Sequence, residues 1–329
     1  MTAPIIGRVL SGTGGIWRVR TSDGATVEAG IRGRLKKSDA GLRDDGSRRR
    51  DTVQSAANKL KLAVGDEVTI EADDGGAFSI SGIAPRRSQL ARREPGGGHG
   101  ERIVAANVDQ VVIVFAAAKP DPHPRMLDRF LVIAEANGLA ARVVVNKVDL
   151  TGEAEARRRF ADYEAAGYPL HCTSVTTGAG LAELAEAIAG RTSALSGPSG
   201  VGKSSLLNAM YPGLDLRVGE ISESVNKGRH TTVGALLHPL PGDAFVVDTP
   251  GLREVGMWAL DAAHLDECFP ELRGRAADCR FGDCTHRQEP DCAVIGAVTA
   301  GAVSAARFDS YLKLRAELED EQRKWAPHR

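Results

Sequence analysis

The stretch SGPSGVGKSS at residues 196–205 predicts a loop that binds the phosphates of a nucleotide. It matches the pattern G-x-x-x-x-G-K-[ST] in full, from Gly197 to Ser204. The glycines let backbone N–H groups face the phosphates, and the start of the following helix adds its positive end. Because the apolar segment RTSALSG precedes the loop and KSSLLNAMY follows it, the loop joins a predicted strand to a predicted helix. This context favours a nucleotide site over a glycine-rich structural turn.

A second motif, NKVD at 146–149, stands before the phosphate loop and predicts recognition of guanine. The Asp149 carboxylate can accept hydrogen bonds from the ring N–H and the exocyclic amine of guanine, two donors that adenine does not present together. Asn146 is expected to bind the loop that holds the base, and the Lys147 stem to lie along the purine. The next predicted strand ends in CTSV, where Ser174 would place a backbone N–H near the guanine oxygen.

Two later segments have the features of nucleotide switches. DTPG ends the predicted strand AFVVD, so Asp248 would hold Mg²⁺ through a water and the Gly251 N–H would meet the γ-phosphate. In GRHTTV at 228–233, either Thr231 or Thr232 would complete the Mg²⁺ shell, and the sequence leaves both open. The complete predicted GTP-binding set is Asn146, Lys147, Val148, Asp149, Ser174, Gly197, Pro198, Ser199, Gly200, Val201, Gly202, Lys203, Ser204 and Ser205. Within it, Lys203 would reach the β- and γ-phosphates and Ser204 would bind Mg²⁺ directly.

The order of these motifs indicates a circular permutation. In most GTPases the base reader follows the phosphate loop, whereas here it comes about fifty residues earlier. Cutting an ordinary GTPase after its second switch and joining its old ends produces this order. Both switch segments then directly precede the C-terminal region, so loss of the γ-phosphate could be transmitted to residues beyond 257.

The sequence offers one internal candidate for the group that activates water. Many GTPases orient the attacking water with a Gln after the D-x-x-G segment, but Leu252 stands at that position here. A leucine side chain cannot position the attacking water by hydrogen bonding, so we expect the isolated protein to hydrolyse GTP slowly. His230 is the internal candidate for proton transfer, and its alternative is a loop histidine that contacts RNA or solvent. The proposed catalytic set is His230, Lys203, Thr231, Thr232, Asp248 and Gly251.

A cluster of cysteines predicts a structural metal site near the C-terminus. The pattern Cys279-x4-Cys284-x-His286-x5-Cys292 supplies three thiolates and one imidazole, a complete tetrahedral Zn²⁺ shell with no open position. Buried cysteines beside a surface histidine are the alternative. The remaining two of the five cysteines, Cys172 and Cys268, are expected to be core thiols.

Composition and patterning place these motifs in a larger architecture. Charged residues make up 26% of the 329, and the start of the chain shows neither a secretory leader nor a membrane span, so a cytoplasmic protein is expected. Residues 1–100 hold 17 Lys and Arg against 12 Asp and Glu, which suggests a polyanionic partner, although a solvated surface would look the same. Alternating apolar residues over 1–85 predict a small closed β-barrel of the OB type, interrupted by a polar loop at 36–61.

Beyond a glycine-rich linker at 91–102, apolar strands alternate with helices, which indicates a mostly parallel sheet covered on both faces. The chain is therefore predicted to be a multidomain α/β plus β protein. Its domains would be an OB-fold RNA-binding domain at 1–95, a circularly permuted GTPase domain at 96–256 and a mainly helical zinc-binding domain at 257–329.

Over nearly its whole length the chain resembles the RsgA (YjeQ) family of circularly permuted GTPases. The resemblance is carried by the motifs above together with RG, VGD, PRRSQLARR, AANVDQVVIV, DRFLVIAE, NKVDL, KGRHTT and CRFGDCTHRQEPDCAV. It implies GTP hydrolysis stimulated by the 30S ribosomal subunit, with GTP/GDP, 16S rRNA, Mg²⁺ and one structural Zn²⁺ as partners. A monomer without membrane association is expected. The stretch 36–61 departs from the family by its length.

Two rival functions are open at this point. A permuted GTPase of the large ribosomal subunit would share the nucleotide motifs, but the barrel and the Cys/His cluster speak against it. A P-loop small-molecule kinase would need an acceptor site and would tolerate ATP. Competition between GTP and ATP separates the kinase from the GTPases.

Overall fold

The structure is a computed structural model that describes residues 4–31, 62–73, 75–93, 101–216, 235–248 and 260–325. The chain divides into two compact units. One consists of Met1–Val108 with two short later segments, and the other contains Asp109–Asn226 and Pro250–Arg329. The polar stretch 36–61 lies outside the described residues. None of the helices in the described ranges combines the length and the apolar character that crossing a membrane requires.

The first unit contains the predicted closed barrel. Five strands form it in the order β1-β2-β3-β5-β4. Their bounds are Ile5–Thr13, Ile16–Thr21, Thr26–Ile31, Glu67–Ala72 and Phe78–Ile83 for β1 to β5. Alternate side chains point inward, and the buried ones form a small core of Val9, Val19, Ala29, Val68, Ile70 and Ile80. The predicted OB-type barrel is confirmed.

The predicted linker at 91–102 is wrong at both of its ends. Gln89–Arg93 forms β6 and Glu101–Ala106 forms β7, and the two strands pair antiparallel. The glycine-rich run suggested a linker, but the polar residues on either side of it pair along their backbones. The predicted domain boundary at residue 95 therefore falls between two paired strands.

The nucleotide sheet has six strands in the order β10-β9-β8-β11-β13-β12, of which β8 to β11 lie in the second unit. The strands β8 to β13 are Gln110–Ala116, Ala140–Asn146, Leu170–Cys172, Thr192–Ser196, Leu236–Leu240 and Ala244–Asp248. Helices α1 to α4 are Pro124–Ala136, Glu153–Ala165, Leu181–Ile188 and Lys203–Met210. The pairs β10/β9, β8/β9 and β11/β8 are parallel, as the sequence predicts.

Parallel pairing decides where the motifs meet. Since β8, β9, β10 and β11 run in one direction, the segments after them begin at the same edge of the sheet. Those segments start at residues 117, 147, 173 and 197. Ligands of open α/β sheets bind at this carboxyl edge, so the fold itself brings the phosphate loop and the base reader together.

The C-terminal region is helical, as predicted. Short 3₁₀ turns at Ala262–His264 and Asp266–Cys268 lead into α5, Pro270–Ala276. Two further helices follow, α6 at Ala293–Thr299 and α7 at Ala305–Trp325. This region belongs to the same compact unit as strands β8 to β11 of the nucleotide sheet. The Cys/His cluster lies between α5 and the start of α6.

Candidate functional site

The phosphate loop occupies the predicted position, between the end of β11 and the start of α4. Gly197 has φ +132°, and a Cβ there would lie 2.0 Å from the Val114 carbonyl oxygen. Gly202 has φ +93°, and its Cβ would lie 2.7 Å from Asn146 Nδ2. Both positions therefore need glycine, for backbone conformation and for space.

Two polar side chains are buried in the first turn of α4. Lys203 is 7% exposed, and its Nζ donates to the carbonyl oxygens of Gly197 at 2.9 Å and Pro198 at 2.8 Å. Ser204 beside it is 6% exposed. An ammonium group curled over the loop and a hydroxyl at the helix start are the arrangement that a phosphate-binding loop presents.

The remaining loop residues surround this turn. Ser199 and Gly200 are exposed, Pro198 and Ser205 are half-buried, and Val201 is buried.

Asn146 joins the base reader to the phosphate loop. It ends β9 and is 1% exposed. Its Nδ2 donates to the Val201 carbonyl oxygen at 2.9 Å, and its Oδ1 accepts from Thr173 Oγ1 at 3.2 Å. One buried amide therefore fixes three loops against one another. The sequence-based expectation that Asn146 binds the loop that holds the base stays a prediction.

Lys147 is held by two backbone carbonyls. Its φ is +62°, and its Nζ donates to the oxygens of Lys119 at 2.5 Å and Gly200 at 2.7 Å. A positive φ is uncommon for a residue with a side chain, so these contacts help to hold the conformation. The contribution of Lys119 has no sequence signal, because any residue type can supply a carbonyl oxygen.

Asp149 and Ser174 meet, although 25 residues separate them. The Ser174 hydroxyl donates to Asp149 Oδ1 at 2.5 Å, which orients the exposed carboxylate. The Ser174 N–H, expected to face the guanine oxygen, donates instead to the Ala179 carbonyl at 3.0 Å. The contact of Ser174 with the base-reading motif is therefore made by its hydroxyl. Val148, between the motif's lysine and aspartate, is buried at 5% exposure.

Several predicted residues lie outside the described part of the chain. They are His230, Thr231, Thr232 and Gly251. Asp248 is the last residue of β13, and the description covers its backbone only. Their roles in Mg²⁺ binding and catalysis stay predictions.

The four predicted metal ligands converge. The ligand atoms of Cys279, Cys284, His286 and Cys292 all lie within 4.8 Å of one another, so this cluster could hold a metal ion. The Sγ atoms of Cys279 and Cys292 are 3.8 Å apart. His286 Nδ1 lies 3.6 Å from Cys279 Sγ and 3.4 Å from Cys292 Sγ.

Neighbouring groups orient the cluster. His286 Nε2 lies 3.4 Å from an Asp266 carboxylate oxygen, which would direct the other ring nitrogen toward the thiols. Burial alone would raise the pKa of Cys292, but the Ile295 N–H and nearby polar groups outweigh it and lower that pKa. By contrast, burial raises the pKa of Cys268 to about 12, which is typical of an inert core thiol.

Comparison with known proteins agrees with this site. The model of the RsgA GTPase family matches residues 83–258. This chain belongs to the RsgA GTPase family. The small ribosomal subunit biogenesis GTPase RsgA of Gemmatimonas aurantiaca is 57% identical over 320 residues, covering 97% of this chain and 99% of the relative. The corresponding Bacteroides fragilis protein is 37% identical over 319 residues, 95% and 97% of the two chains.

Two solved structures share the fold of this family member. YjeQ from Thermotoga maritima superposes with a TM-score of 0.75 at 31% identity, covering 96% of this chain and 99% of that one. YloQ, described as a circularly permuted GTPase, gives 0.72 at 27% identity, with coverage of 97% and 96%. The circular permutation is thus confirmed. The protein is a GTP-hydrolysing enzyme, and the small-molecule kinase alternative is wrong.

Proposed function

We propose that this enzyme binds GTP at the carboxyl edge of the nucleotide sheet and hydrolyses it on the maturing small ribosomal subunit. The observation that carries the proposal is the 2.9 Å bond from Asn146 Nδ2 to the Val201 oxygen. It joins a guanine-reading motif and a phosphate loop into one site despite their inverted order. The relatives named for small ribosomal subunit biogenesis support the target and disfavour the large-subunit alternative.

In this proposal each part of the nucleotide has its own partner. The Asp149 carboxylate, oriented by the Ser174 hydroxyl, accepts hydrogen bonds from the ring N–H and the exocyclic amine of guanine. The Lys147 stem lies along the base. Backbone N–H groups of residues 199–202 and the Lys203 ammonium hold the phosphates. The Ser204 hydroxyl, with Thr231 or Thr232 and a water on Asp248, would bind Mg²⁺, which neutralises the charge that develops on the phosphates. Gly251 is assigned to the γ-phosphate.

Water activation is assigned to a group outside the D-x-x-G segment. Leu252 cannot orient water, so we propose that His230 or a group of the ribosomal particle does so. Hydrolysis would then relax the switch segments and release the enzyme from the particle.

The Cys/His cluster fits zinc. A tetrahedral Zn²⁺ with Zn–S of about 2.3 Å and Zn–N of about 2.0 Å sets sulfur atoms about 3.8 Å apart and sulfur–nitrogen pairs about 3.5 Å apart. The observed separations of 3.8, 3.6 and 3.4 Å agree with these values. Cys279, Cys284, His286 and Cys292 would hold the ion, and with four protein ligands its role would be structural.

The barrel is the proposed contact to 16S rRNA. Closed barrels of this type bind nucleic acids, and the excess of basic residues in the first hundred suits a polyanion. We keep the division into barrel, GTPase and zinc-binding domains at 1–95, 96–256 and 257–329 as part of this proposal. The proposal includes action in the cytoplasm, where ribosomes mature, and a monomeric state.

The proposal is tested by measuring GTP hydrolysis by the full chain alone, with purified 30S subunits and with purified 50S subunits. We expect a slow basal rate that 30S subunits stimulate and 50S subunits do not. ATP in place of GTP is the control for base recognition and should not be hydrolysed. A fast basal rate, or equal stimulation by both subunits, would contradict the assignment.

A further inference from the structure

Three consecutive arginines on α2 have different kinds of partner. Arg157 and Arg158 form ion pairs with glutamates of their own helix. Arg159 instead donates from its terminal NH1 to the backbone carbonyl of Ala117 at 2.8 Å, across 42 positions of sequence. It therefore connects α2 to the segment that follows β8.

That segment, residues 117–119, is called here the base-site strap. Ala117 is fully buried and lies one residue past the end of β8. Its N–H donates to the Asn146 carbonyl at 2.8 Å. The buried Ala117 carbonyl needs a hydrogen-bond donor, and Arg159 supplies that donor.

The strap also carries the acceptor for Lys147. Lys119, at its far end, has φ +50°, and its carbonyl oxygen receives the Lys147 ammonium at 2.5 Å. The same ammonium donates to Gly200 in the phosphate loop at 2.7 Å. Because both lysines have positive φ, which is unfavourable for such residues, the surrounding contacts must hold them in place. The position of Lys147 thus depends on the strap.

We propose that Arg159 is a positioning residue for guanine nucleotides. By holding the Ala117 carbonyl it fixes the strap, and the strap fixes the Lys147 stem on which the base lies. Arg159 acts through Lys147 and does not touch the nucleotide itself. Because GTP and GDP have the same base, loss of Arg159 weakens the binding of both nucleotides to the same extent. This inference rests on the proposed nucleotide site.

The test compares Arg159→Ala with wild type in the full chain, using fluorescent GDP and GTP analogues for dissociation constants and unlabelled GTP for turnover. We expect both dissociation constants to rise about tenfold, on the scale of one weakened hydrogen bond to a charged group. KM should rise while kcat at saturating GTP is retained, because the contact is made equally in the ground state and the transition state. Arg159→Lys, which keeps one donor, should give an intermediate affinity.

Arg158→Ala is the matched control, since Arg158 is 74% exposed and pairs with Glu155 within its helix. It should leave both dissociation constants unchanged. Thermal melts of every variant separate folding from binding. If Arg159→Ala and Arg159→Lys lower the melting temperature but not the affinity, Arg159 is structural and the proposal is overturned.

Asp149→Asn distinguishes failure of the inference from failure of the proposed nucleotide site. If that variant loses guanine binding while Arg159→Ala does not, only the role of Arg159 is wrong. If Asp149→Asn binds GDP as well as wild type, the site itself is misassigned and the role of Arg159 falls with it.

Discussion

Gly202 meets two requirements at once in the phosphate loop. Its φ of +93° lies in the left-handed region, and the space where a Cβ would stand is bordered by Asn146 Nδ2 at 2.7 Å. That amide is the group that joins the base reader to the loop through Val201. Any side chain at position 202 would therefore strain the backbone and displace the junction between the two halves of the site.

We predict that Gly202→Ala weakens GDP binding by at least about thirtyfold. Backbone strain of about 1 kcal/mol and a lost hydrogen bond of about 1 kcal/mol together correspond to that factor. Isothermal titration calorimetry with GDP is the measurement. Gly274→Ala in α5 is the control, because the added Cβ would meet no atom within 4 Å beyond its chain neighbours and the nearby backbone of its own helix, and it should bind GDP normally. Normal GDP affinity in Gly202→Ala would show that Asn146 does not depend on this glycine.

The segment between α5 and α6 carries the four residues of the Cys/His cluster. Residues 277–292 form turns and bends without a helix or a strand, and most of their side chains are exposed or half-buried. Cys292 stands at the start of α6, where its Sγ accepts from the Ile295 N–H at 3.4 Å. Such a segment buries little apolar surface, so metal affinity should supply much of its folding free energy.

Cys284→Ser should therefore lower both the zinc content and the melting temperature. Wild type purified without chelator is expected to contain about one Zn²⁺ per chain by elemental analysis, as four protein ligands imply. Cys268→Ala is the control, because Cys268 is a buried thiol outside the cluster, and it should keep its zinc. Full zinc content in Cys284→Ser would contradict the ligand set.

Arg307 connects the C-terminal helices to the nucleotide core. Its side chain on α7 is 2% exposed and pairs with Asp128 of α1 at 2.5 Å and Glu271 of α5 at 2.7 Å. Tyr163 and Phe269 face its guanidinium, with ring centroids at 5.2 Å and 4.7 Å. Burial raises the pKa of Asp128, while the charge of Arg307 opposes that rise. A buried cation between two carboxylates makes these helices mutually dependent for stability.

Arg307→Met should reduce the free energy of unfolding by about 3–5 kcal/mol, since it leaves two carboxylates buried without their partner. Urea unfolding at pH 8 is the measurement. In the variant the pKa of Asp128 should rise further above its value in the unfolded chain, because the charge of Arg307 is gone. The loss of unfolding free energy should therefore grow as the pH rises from the unfolded to the folded pKa of Asp128, and shrink as the pH is lowered.

The control for this variant is Arg280→Ala. Arg280 and Asp291 form an exposed pair with side-chain exposures of 61% and 71%, and such pairs contribute about 0–1 kcal/mol. If Arg307→Met loses no more free energy of unfolding than this control, the buried pair does not hold the C-terminal helices.

Sequence reasoning reached furthest where chemistry is encoded locally. The phosphate loop, the NKVD motif and the Cys/His spacing each combine residue types that one reaction or one metal requires, so they could be recognised in any order along the chain. The pairing of β6 with β7 was missed because backbone pairing between short polar strands has little side-chain signature. The sequence did not predict that the Ser174 N–H donates to the Ala179 carbonyl, because a backbone acceptor has no side-chain signature.

The sequence by itself determined the barrel, the permuted nucleotide sheet, the family and the candidate ligands of nucleotide and metal. Only the tertiary structure decided that Lys147 depends on the Lys119 carbonyl, that Arg159 holds the strap and that Arg307 joins three helices. The physical reason is the range of the interactions. Residue types and their periodicity act over a few neighbours, whereas these contacts join groups 28, 42 and 179 positions apart and exist only once the strands are parallel and the helices are packed.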